Sequence, residues 1–190
     1  MSSARGHRLN GGPFTPRKEM HHGKAALWRH NVARRLHRRP GRRHPVADEL
    51  VANVGSCLVG GRSYRGDDPN TGTEKEGPFG GAWEGPQFVL TTRPPAEPVR
   101  GVTFVTDLET AVARAKAAAG EKYACIIGAD VARQCLAAGA VDDVLVFVAP
   151  ILLGDGVPLF RQLGGAGIRL ERPRVHDSGH TVSLWYRVRR

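Results

Sequence analysis

The stretch 123–139, YACIIGADVARQCLAAG, constrains the fold of this chain more than any other part of the sequence. An apolar run at 124–127 ends at Gly128, and a helical pattern begins directly behind it. The side chains spaced to share one face of that helix are Val131, Gln134, Cys135 and Ala138. This pattern predicts a buried strand, a glycine turn and a helix.

The glycine turn is a candidate seat for an anion. The first turn of a helix that follows a buried strand presents backbone N–H groups, and a phosphate can accept hydrogen bonds from them. A turn that binds no anion, and that needs glycine only because other residues rarely adopt its φ, explains the pattern equally well. Asp130 would repel a phosphate unless its carboxylate caps the helix by accepting a hydrogen bond from the N–H of Gln134 or Arg133. The turn therefore needs support from its neighbours.

Two more predicted strands end in residues suited to an anion. The strand at 57–59 leads into a Gly-Gly pair that lets the chain approach a ligand closely, and the strand at 87–90 leads into hydroxyls and a guanidinium. The residues of these two ends are Gly60, Gly61, Arg62, Ser63, Tyr64, Thr91, Thr92 and Arg93. If the three strands are parallel, their carboxyl ends share one edge of the sheet, where open α/β sheets bind ligands. The sequence thus predicts an anionic, nucleotide-like ligand at that edge.

The alternation of strands and helices indicates an α/β fold with a mixed, mostly parallel sheet that ends in an antiparallel hairpin. Further strands are expected at 102–105, 144–148, 168–175 and 181–188. We expect one helix at 47–54, closed by Gly55, and another that begins with a capping box at Thr106 and Glu109 and ends before Gly120. In the polar loop 66–86, Phe79 and Trp83 are expected to pin the loop to the body.

The positive charge is confined to the first quarter of the chain. Residues 1–45 contain twelve Lys and Arg and one acid, whereas the remaining 16 basic and 17 acidic residues give 46–190 a balance of −1. The segment lacks the apolar core of a secretory signal. Its part around 27–36 could form a basic helix, but we expect a disordered segment that binds nucleic acid only non-specifically.

The cysteines and the hydropathy favour an intracellular protein without a metal site. Cys57, Cys125 and Cys135 lie in apolar or helical settings without CxxC spacing, which is typical of buried thiols in a reducing compartment such as the cytoplasm. No apolar run approaches the length of a membrane span, so no membrane partner is expected.

Three motifs in order along the chain carry a resemblance to a known family. LVGGRSY, FVLTTRPP and the block IIGADVARQCLAAGAVDDVLVFVAPILLGDGVPLF, which begin at 58, 88 and 126, resemble the dihydrofolate reductase-like superfamily. They are most similar to its riboflavin-biosynthesis pyrimidine reductase branch. The last block is the most specific, because it keeps a glycine turn, a helix, a strand and a P-x-L-L-G-x-G loop in register.

The resemblance implies an NADPH-dependent reductase, commonly a homodimer, that gives a hydride to a pyrimidine, pterin-like or related small substrate of the 5-amino-6-(5-phosphoribosylamino)uracil type. By position, 60–64 would hold the pyrophosphate, and 91–93 would meet the adenosine side and its 2′-phosphate. The residues that would line the pyrophosphate and the nicotinamide edge are Gly128, Ala129, Asp130 and Val131.

Two departures from the family pattern affect the expected site. Ile127 stands where the family has a first glycine, so its Cβ is expected to weaken pyrophosphate binding. Residues 1–45 show neither the family's opening strand nor its polar substrate loop, which predicts a domain that begins at 46 and lacks part of its active site. A lost strand, a shifted reading frame and a divergent strand near 9–14 would each explain the segment.

The resemblance leaves the proton donor and the activity open. Asp155, His176, Asp177 and His180 are the titratable candidates, but turn chemistry explains most of them, so no catalytic residue is assigned. The alternatives to the reductase are an inactive nucleotide-binding relative and a nucleic-acid-associated protein that acts through 1–45.

Overall fold

The computed structural model describes residues 24–28, 45–66, 72–74, 76–152, 158, 160, 165, 167–179 and 181–189, and gives 24–28, 172 and 173 as backbone only. Its strands are β1 (Lys24–Trp28), β2 (Val54–Gly60), β3 (Gln87–Leu90), β4 (Val102–Val105), β5 (Tyr123–Ile127), β6 (Asp143–Val148), β7 (Leu170–Asp177) and β8 (Val182–Val188). Its helices are α1 (Pro45–Ala52), α2 (Gly61–Arg65), α3 (Leu108–Ala119) and α4 (Ala129–Ala137), with a 3-10 turn at Pro78–Gly81.

The eight strands form one mixed sheet in the order β4-β3-β2-β5-β1-β6-β8-β7. The six strands from β4 to β6 are parallel to their neighbours. The last two pairs are antiparallel: β8 runs antiparallel to β6, and β7 runs antiparallel to β8. The predicted fold class, a mostly parallel mixed sheet that ends in a hairpin, is therefore confirmed.

Strand β1 corrects the prediction that the opening strand is absent. It lies between β5 and β6, with Leu27 paired to Ile126 on one side and to Val144 on the other. The domain therefore begins before 46, and Leu27 and Trp28 belong to a strand rather than to a basic helix. A short apolar run fits a buried strand and a helix equally well, so periodicity could not decide. The predicted disorder of 1–45 otherwise falls on residues outside the described ones.

Side chains alternate between the two faces of the sheet, and each face packs into its own apolar cluster. Leu58 and Ile126 face α3 and α4, together with the alanines of α3. Cys57, Val59 and Cys125 face α1 and the 3-10 turn. The period of two along each strand explains the alternation, and it gives a three-layer fold in which the sheet is buried on both sides.

Helix α3 lies close to the sheet because its contact face is made of small residues. Ala111, Ala115 and Ala119 are buried at a spacing of four. Ser56 donates a hydrogen bond of 2.7 Å from its hydroxyl to the carbonyl of Ala115. A Cβ at Gly55 would collide with the backbone of Ala119, so this strand position requires glycine.

Two predicted helix ends differ from the structure, and one agrees. Gly55 does not cap α1, because α1 ends at Ala52 and Gly55 lies inside β2. The cap of α3 is Asp107 rather than Thr106: its carboxylate accepts a 2.7 Å hydrogen bond from the N–H of Thr110, which lowers the pKa of Asp107. Gly120 ends α3 at a φ of 59°, as predicted.

The terminal hairpin is tied to the body by Arg174 on β7. Its guanidinium donates two hydrogen bonds, of 2.9 and 2.7 Å, to the two carboxylate oxygens of Glu49 on α1. The same guanidinium lies 4.8 Å from the ring centroid of Trp185. This bidentate pair connects α1 to the antiparallel end of the sheet.

Phe79 and Trp83 attach their part of the polar loop to the body, as predicted, and the thiols are buried. Phe79 is only 3% exposed, and Trp83 donates a 3.0 Å hydrogen bond from Nε1 to the carbonyl of Val54. Cys57, Cys125 and Cys135 are free and buried. Among the described helices, none is long and apolar enough to cross a membrane.

Candidate functional site

The carboxyl ends of β2, β3 and β5 lie side by side, as the sequence predicted. Val59 pairs with both Val89 and Ile127, so the three ends leave the sheet at one level. All three strands are parallel. The residues that follow Val59, Leu90 and Ile127 therefore share one edge, which we call the strand-end edge.

Gly61 and Thr91 bring the ends of β2 and β3 into direct contact. A Cβ at Gly61 would lie 2.8 Å from Thr91 Oγ1 and 2.9 Å from Thr91 Cβ, which is shorter than side chains tolerate. Thr91 is 8% exposed, and its N–H donates a 2.9 Å hydrogen bond to the carbonyl of Val105. Glycine at 61 is therefore required by the close approach of α2 to this anchored threonine.

Gly128 and Ser63 join the ends of β5 and β2. Gly128 has a φ of 115°, which L side chains rarely adopt, and a Cβ there would lie 2.6 Å from Ser63 Oγ. Gly60 faces Val131 more loosely, since a Cβ at Gly60 would lie 3.5 Å from Val131 Cγ1. The two predicted turns therefore form one continuous surface, with the Ser63 hydroxyl at its centre.

Asp130 is engaged by side chains and does not cap α4. Its Oδ1 accepts a 3.0 Å hydrogen bond from Arg133, and its Oδ2 accepts one of 3.0 Å from Gln134. The cap position is Gly128, which supplies no side chain. The capping role under which Asp130 would tolerate an anion at this turn is therefore not observed, and its carboxylate is paired with the guanidinium of Arg133 instead.

The other predicted site residues divide into exposed and packed ones. Arg62, Ser63, Thr92 and Arg93 are exposed, and Ala129 is half-buried at the start of α4. Tyr64 packs edge-on against Phe104, with 5.4 Å between ring centroids. Ile127 is half-buried and packs against the cluster on the α1 side. Tyr64 thus serves packing, and the predicted effect of Ile127 on phosphate binding stays a prediction.

Arg65 is a residue of this edge that the sequence reasoning missed. Its Nη1 donates hydrogen bonds to Thr91 Oγ1 at 3.2 Å and to the carbonyl of Arg93 at 3.5 Å. The N–H of Arg93 donates to the same Thr91 Oγ1 at 3.1 Å. A usable signal was present, since Arg65 lies one helical turn after Arg62 and so on the same side of α2.

The two titratable candidates for proton transfer that the structure describes, His176 and Asp177, lie on the terminal hairpin and not at the strand-end edge. Asp177 accepts a 2.7 Å hydrogen bond from the N–H of Gly179 and so stabilises the hairpin turn. His176 lies on β7, opposite Ser183. Asp155 and His180 lie outside the described residues. Within the described part of the chain, no group of three or more His, Cys, Asp or Glu is placed to hold a metal ion.

A second polar group lies at the amino ends of β5 and β6, away from the strand-end edge. Asp143 is 4% exposed, and its carboxylate lies 3.8 Å from Arg187 Nε. Burial, followed by the carboxylates of Asp143 and Glu49, raises the pKa of Tyr123 to about 12. This group holds strands together and is not part of the candidate site.

Comparisons with known proteins agree with this fold. Residues 23–183 match the family of the RibD C-terminal domain. The match includes β1, which supports its assignment as the opening strand. Over 100 residues the chain is 29% identical to the uncharacterised protein YwjB of Bacillus subtilis (strain 168). That alignment covers 52% of this chain and 57% of YwjB, so it spans little more than half of that relative.

Solved structures show the same architecture. A Shewanella sp. PV-4 protein assigned to riboflavin biosynthesis superposes with a TM-score of 0.58 at 21% identity, over 80% of this chain and 84% of its own. The riboflavin biosynthesis reductase Rib7 of Saccharomyces cerevisiae gives a TM-score of 0.52 at 16% identity, over 88% and 90%. These likenesses establish a dihydrofolate reductase-like fold for the chain, as the resemblance had predicted.

Proposed function

This chain belongs to the RibD C-terminal domain family, and on that premise we propose that it is an NADPH-dependent reductase. Its substrate would be a pyrimidine, pterin-like or related small molecule of the 5-amino-6-(5-phosphoribosylamino)uracil type. Rib7 of Saccharomyces cerevisiae is named as a riboflavin biosynthesis reductase, and a Thermotoga maritima protein is named as a deaminase and 5-amino-6-(5-phosphoribosylamino)uracil reductase. The latter gives a TM-score of 0.55 at 14% identity, and the match covers 57% of it.

The observation that carries the proposal is the shape of the strand-end edge. A Cβ at Gly61 would strike Thr91, and one at Gly128 would strike Ser63, so both turns keep the backbone free of side chains where three strands end. Hydroxyls of Ser63 and Thr91 and the guanidinium of Arg65 lie at the same edge. Bare backbone, hydroxyls and a cation fit the pyrophosphate of a dinucleotide.

The residues would divide the cofactor between them by position. Ser63, Gly128 and the first N–H groups of α4 would hold the pyrophosphate, with Gly60, Gly61 and Arg62 on the β2 side. Thr91, Thr92 and Arg93 would meet the adenosine ribose, and Ala129, Asp130 and Val131 would line the path to the nicotinamide. The bound nicotinamide would supply the hydride, and the chain would orient it and exclude water.

The proposal extends to a cytoplasmic homodimer. Several apolar side chains near the end of β6 and along β7 are exposed, and they support a contact between copies. They are Val148 at 48%, Ile151 at 49%, Leu152 at 103% and Val175 at 58%. The free, buried cysteines agree with a reducing compartment.

The alternative of an inactive nucleotide-binding relative rested on a missing first strand. Strand β1 removes that ground, because it occupies the centre of the sheet. The segment behind it, where the family has its substrate loop, lies outside the described residues. Turnover, rather than binding, separates the reductase from this alternative.

A titration of the purified chain with NADPH and with NADH, followed by nicotinamide fluorescence, tests the proposal. We expect NADPH to bind more tightly than NADH, and Arg93→Ala to weaken NADPH. Arg114→Ala, an exposed arginine of α3, is the matched control and should change neither affinity. NADPH oxidation with the pyrimidine substrate then tests catalysis. A folded chain that binds neither dinucleotide would refute the proposal.

A further inference from the structure

We propose that Arg65 is the specificity-determining residue of the strand-end edge, and that it binds a phosphate monoester on the adenosine ribose of the cofactor. The inference rests on the proposed function, since it presupposes a dinucleotide at this edge. It moves the main 2′-phosphate contact from Arg93, where sequence position put it, to a residue outside the family motif.

Arg65 is oriented before any ligand arrives. Both of its hydrogen bonds, to Thr91 Oγ1 and to the carbonyl of Arg93, are donated by Nη1. A guanidinium has five N–H donors in a planar fork, so three donors remain, on Nε and Nη2. Within the described residues these three make no hydrogen bond. Two adjacent donors of such a fork match two oxygens of a phosphate.

The platform that holds Arg65 is rigid. Thr91 is buried, its N–H is bonded to Val105, and its hydroxyl oxygen accepts from both Arg65 and the N–H of Arg93. The close packing of Gly61 on Thr91 fixes α2, which carries Arg65, against the same threonine. A cation held in this way loses less side-chain entropy on binding an anion than a free one does.

Among the described residues, the charge close to Arg65 is positive. Arg62, Arg65 and Arg93 are exposed, and in the part of the chain that the structure describes none of them forms an ion pair with a carboxylate. Arg133 on α4 contrasts with them, because its guanidinium is paired with Asp130. A doubly charged phosphate monoester balances the positive charge of Arg62, Arg65 and Arg93 better than a singly charged phosphodiester does.

The position of Arg65 distinguishes a ribose phosphate from the pyrophosphate. The proposed pyrophosphate contacts are Ser63 and Gly128, at the ends of β2 and β5. Arg65 is anchored instead at the end of β3, on the far side of β2 from β5. The ends of β5 and β3 are two strand spacings apart, which is about 10 Å, and the end of β2 lies between them. A phosphate on the adenosine ribose extends away from the pyrophosphate in this way, whereas an unphosphorylated ribose would leave Arg65 without a ligand.

Calorimetric titrations of the full chain with NADP⁺ and with NAD⁺ test the inference. The variants are Arg65→Gln, Arg65→Lys and the matched surface control Arg114→Gln. We expect Arg65→Gln to weaken NADP⁺ by about 10- to 100-fold, the usual range for a lost charge-assisted contact, and to leave NAD⁺ within about threefold. Arg65→Lys should lose less, because it keeps the charge but not the fork.

The outcomes separate the inference from the function on which it rests. An equal loss of both dinucleotides in Arg65→Gln would mean that Arg65 only supports Thr91, and it would overturn the inference. A wild type that binds NADP⁺ and NAD⁺ equally, or an Arg65→Gln variant that keeps full NADP⁺ affinity, would also overturn it while a dinucleotide site remained. Failure of the folded wild type to bind either dinucleotide would refute the proposed function as well.

Discussion

Replacing Gly61 by alanine should destabilise the protein, whereas the same change at the neighbouring Gly60 should not. At 61 the new Cβ would lie 2.8 Å from Thr91 Oγ1, 2.9 Å from Thr91 Cβ and 3.3 Å from the carbonyl of Leu90. At 60 it would meet Val131 Cγ1 at 3.5 Å, which is ordinary van der Waals contact. The two adjacent glycines thus form a matched pair.

The size of the effect follows from how firmly Thr91 is held. Carbon atoms in contact normally lie about 3.5–4.0 Å apart, so α2 and the end of β3 would have to separate by several tenths of an ångström. Thr91 cannot yield easily, because its N–H and its hydroxyl oxygen are both hydrogen-bonded. Overpacking of this kind costs about 1–3 kcal/mol, and alanine recovers about 0.4–1 kcal/mol by restricting the unfolded chain.

The net expectation for Gly61→Ala is a loss of about 1–2 kcal/mol, or about 3–6 °C in Tm for a chain of this size. Gly60→Ala should be neutral or gain up to about 1 kcal/mol. Urea unfolding followed by circular dichroism measures both. Equal stability of the two variants would refute the close contact between α2 and Thr91, and with it the rigid platform assigned to Arg65.

Three further predictions concern the body of the fold. A double-mutant cycle of Glu49→Ala and Arg174→Ala should give a coupling of about 1 kcal/mol, because the pair is bidentate but partly exposed; additive losses would contradict it. Burial raises the pKa of Cys57 well above its usual range and that of Cys135 to about 11, so these two thiols should not react with a disulfide reagent at pH 8 until urea unfolds the chain. Burial also raises the pKa of Tyr123 from 10.0 to about 12. The contribution of the neutral tyrosine to the free energy of unfolding is therefore complete below about pH 10 and is lost as the pH rises from about 10 to about 12. Between about pH 10 and pH 12, the free energy of unfolding measured in urea should fall by up to about 2 kcal/mol less in Tyr123→Phe than in the wild type. The same pH dependence in both proteins would contradict the burial of Tyr123.

The sequence predicted the strand-end edge well because its signals are local. Each apolar run of β2, β3 and β5 is short and ends in glycine or in polar residues, so the strands followed from the pattern, and their shared edge followed once they were taken to be parallel. The contact between Gly61 and Thr91 could not be predicted, since it depends on how closely α2 packs on the next strand.

The misses share a physical cause, which is that neighbouring structure decided between two local options. In β1 the apolar run lies within a basic segment, and only pairing with β5 and β6 makes it a strand. Gly55 looked like a helix cap, but the approach of α3 requires glycine inside β2. Arg65 lies outside the motif, and its role becomes visible only through its bond to Thr91.

The place of β1 in the sheet has a consequence for folding during synthesis. Its partners, β5 and β6, lie about a hundred positions further along the chain, so Leu27 can pair with Ile126 and Val144 only after both have left the ribosome. Until β1 inserts between β5 and β6, the strands β4-β3-β2-β5 and β6-β8-β7 are two separate sheets with open edges. Closure of this long loop makes insertion of β1 a slow step. A chain stalled before it would expose two unpaired parallel edges and should aggregate or require a chaperone.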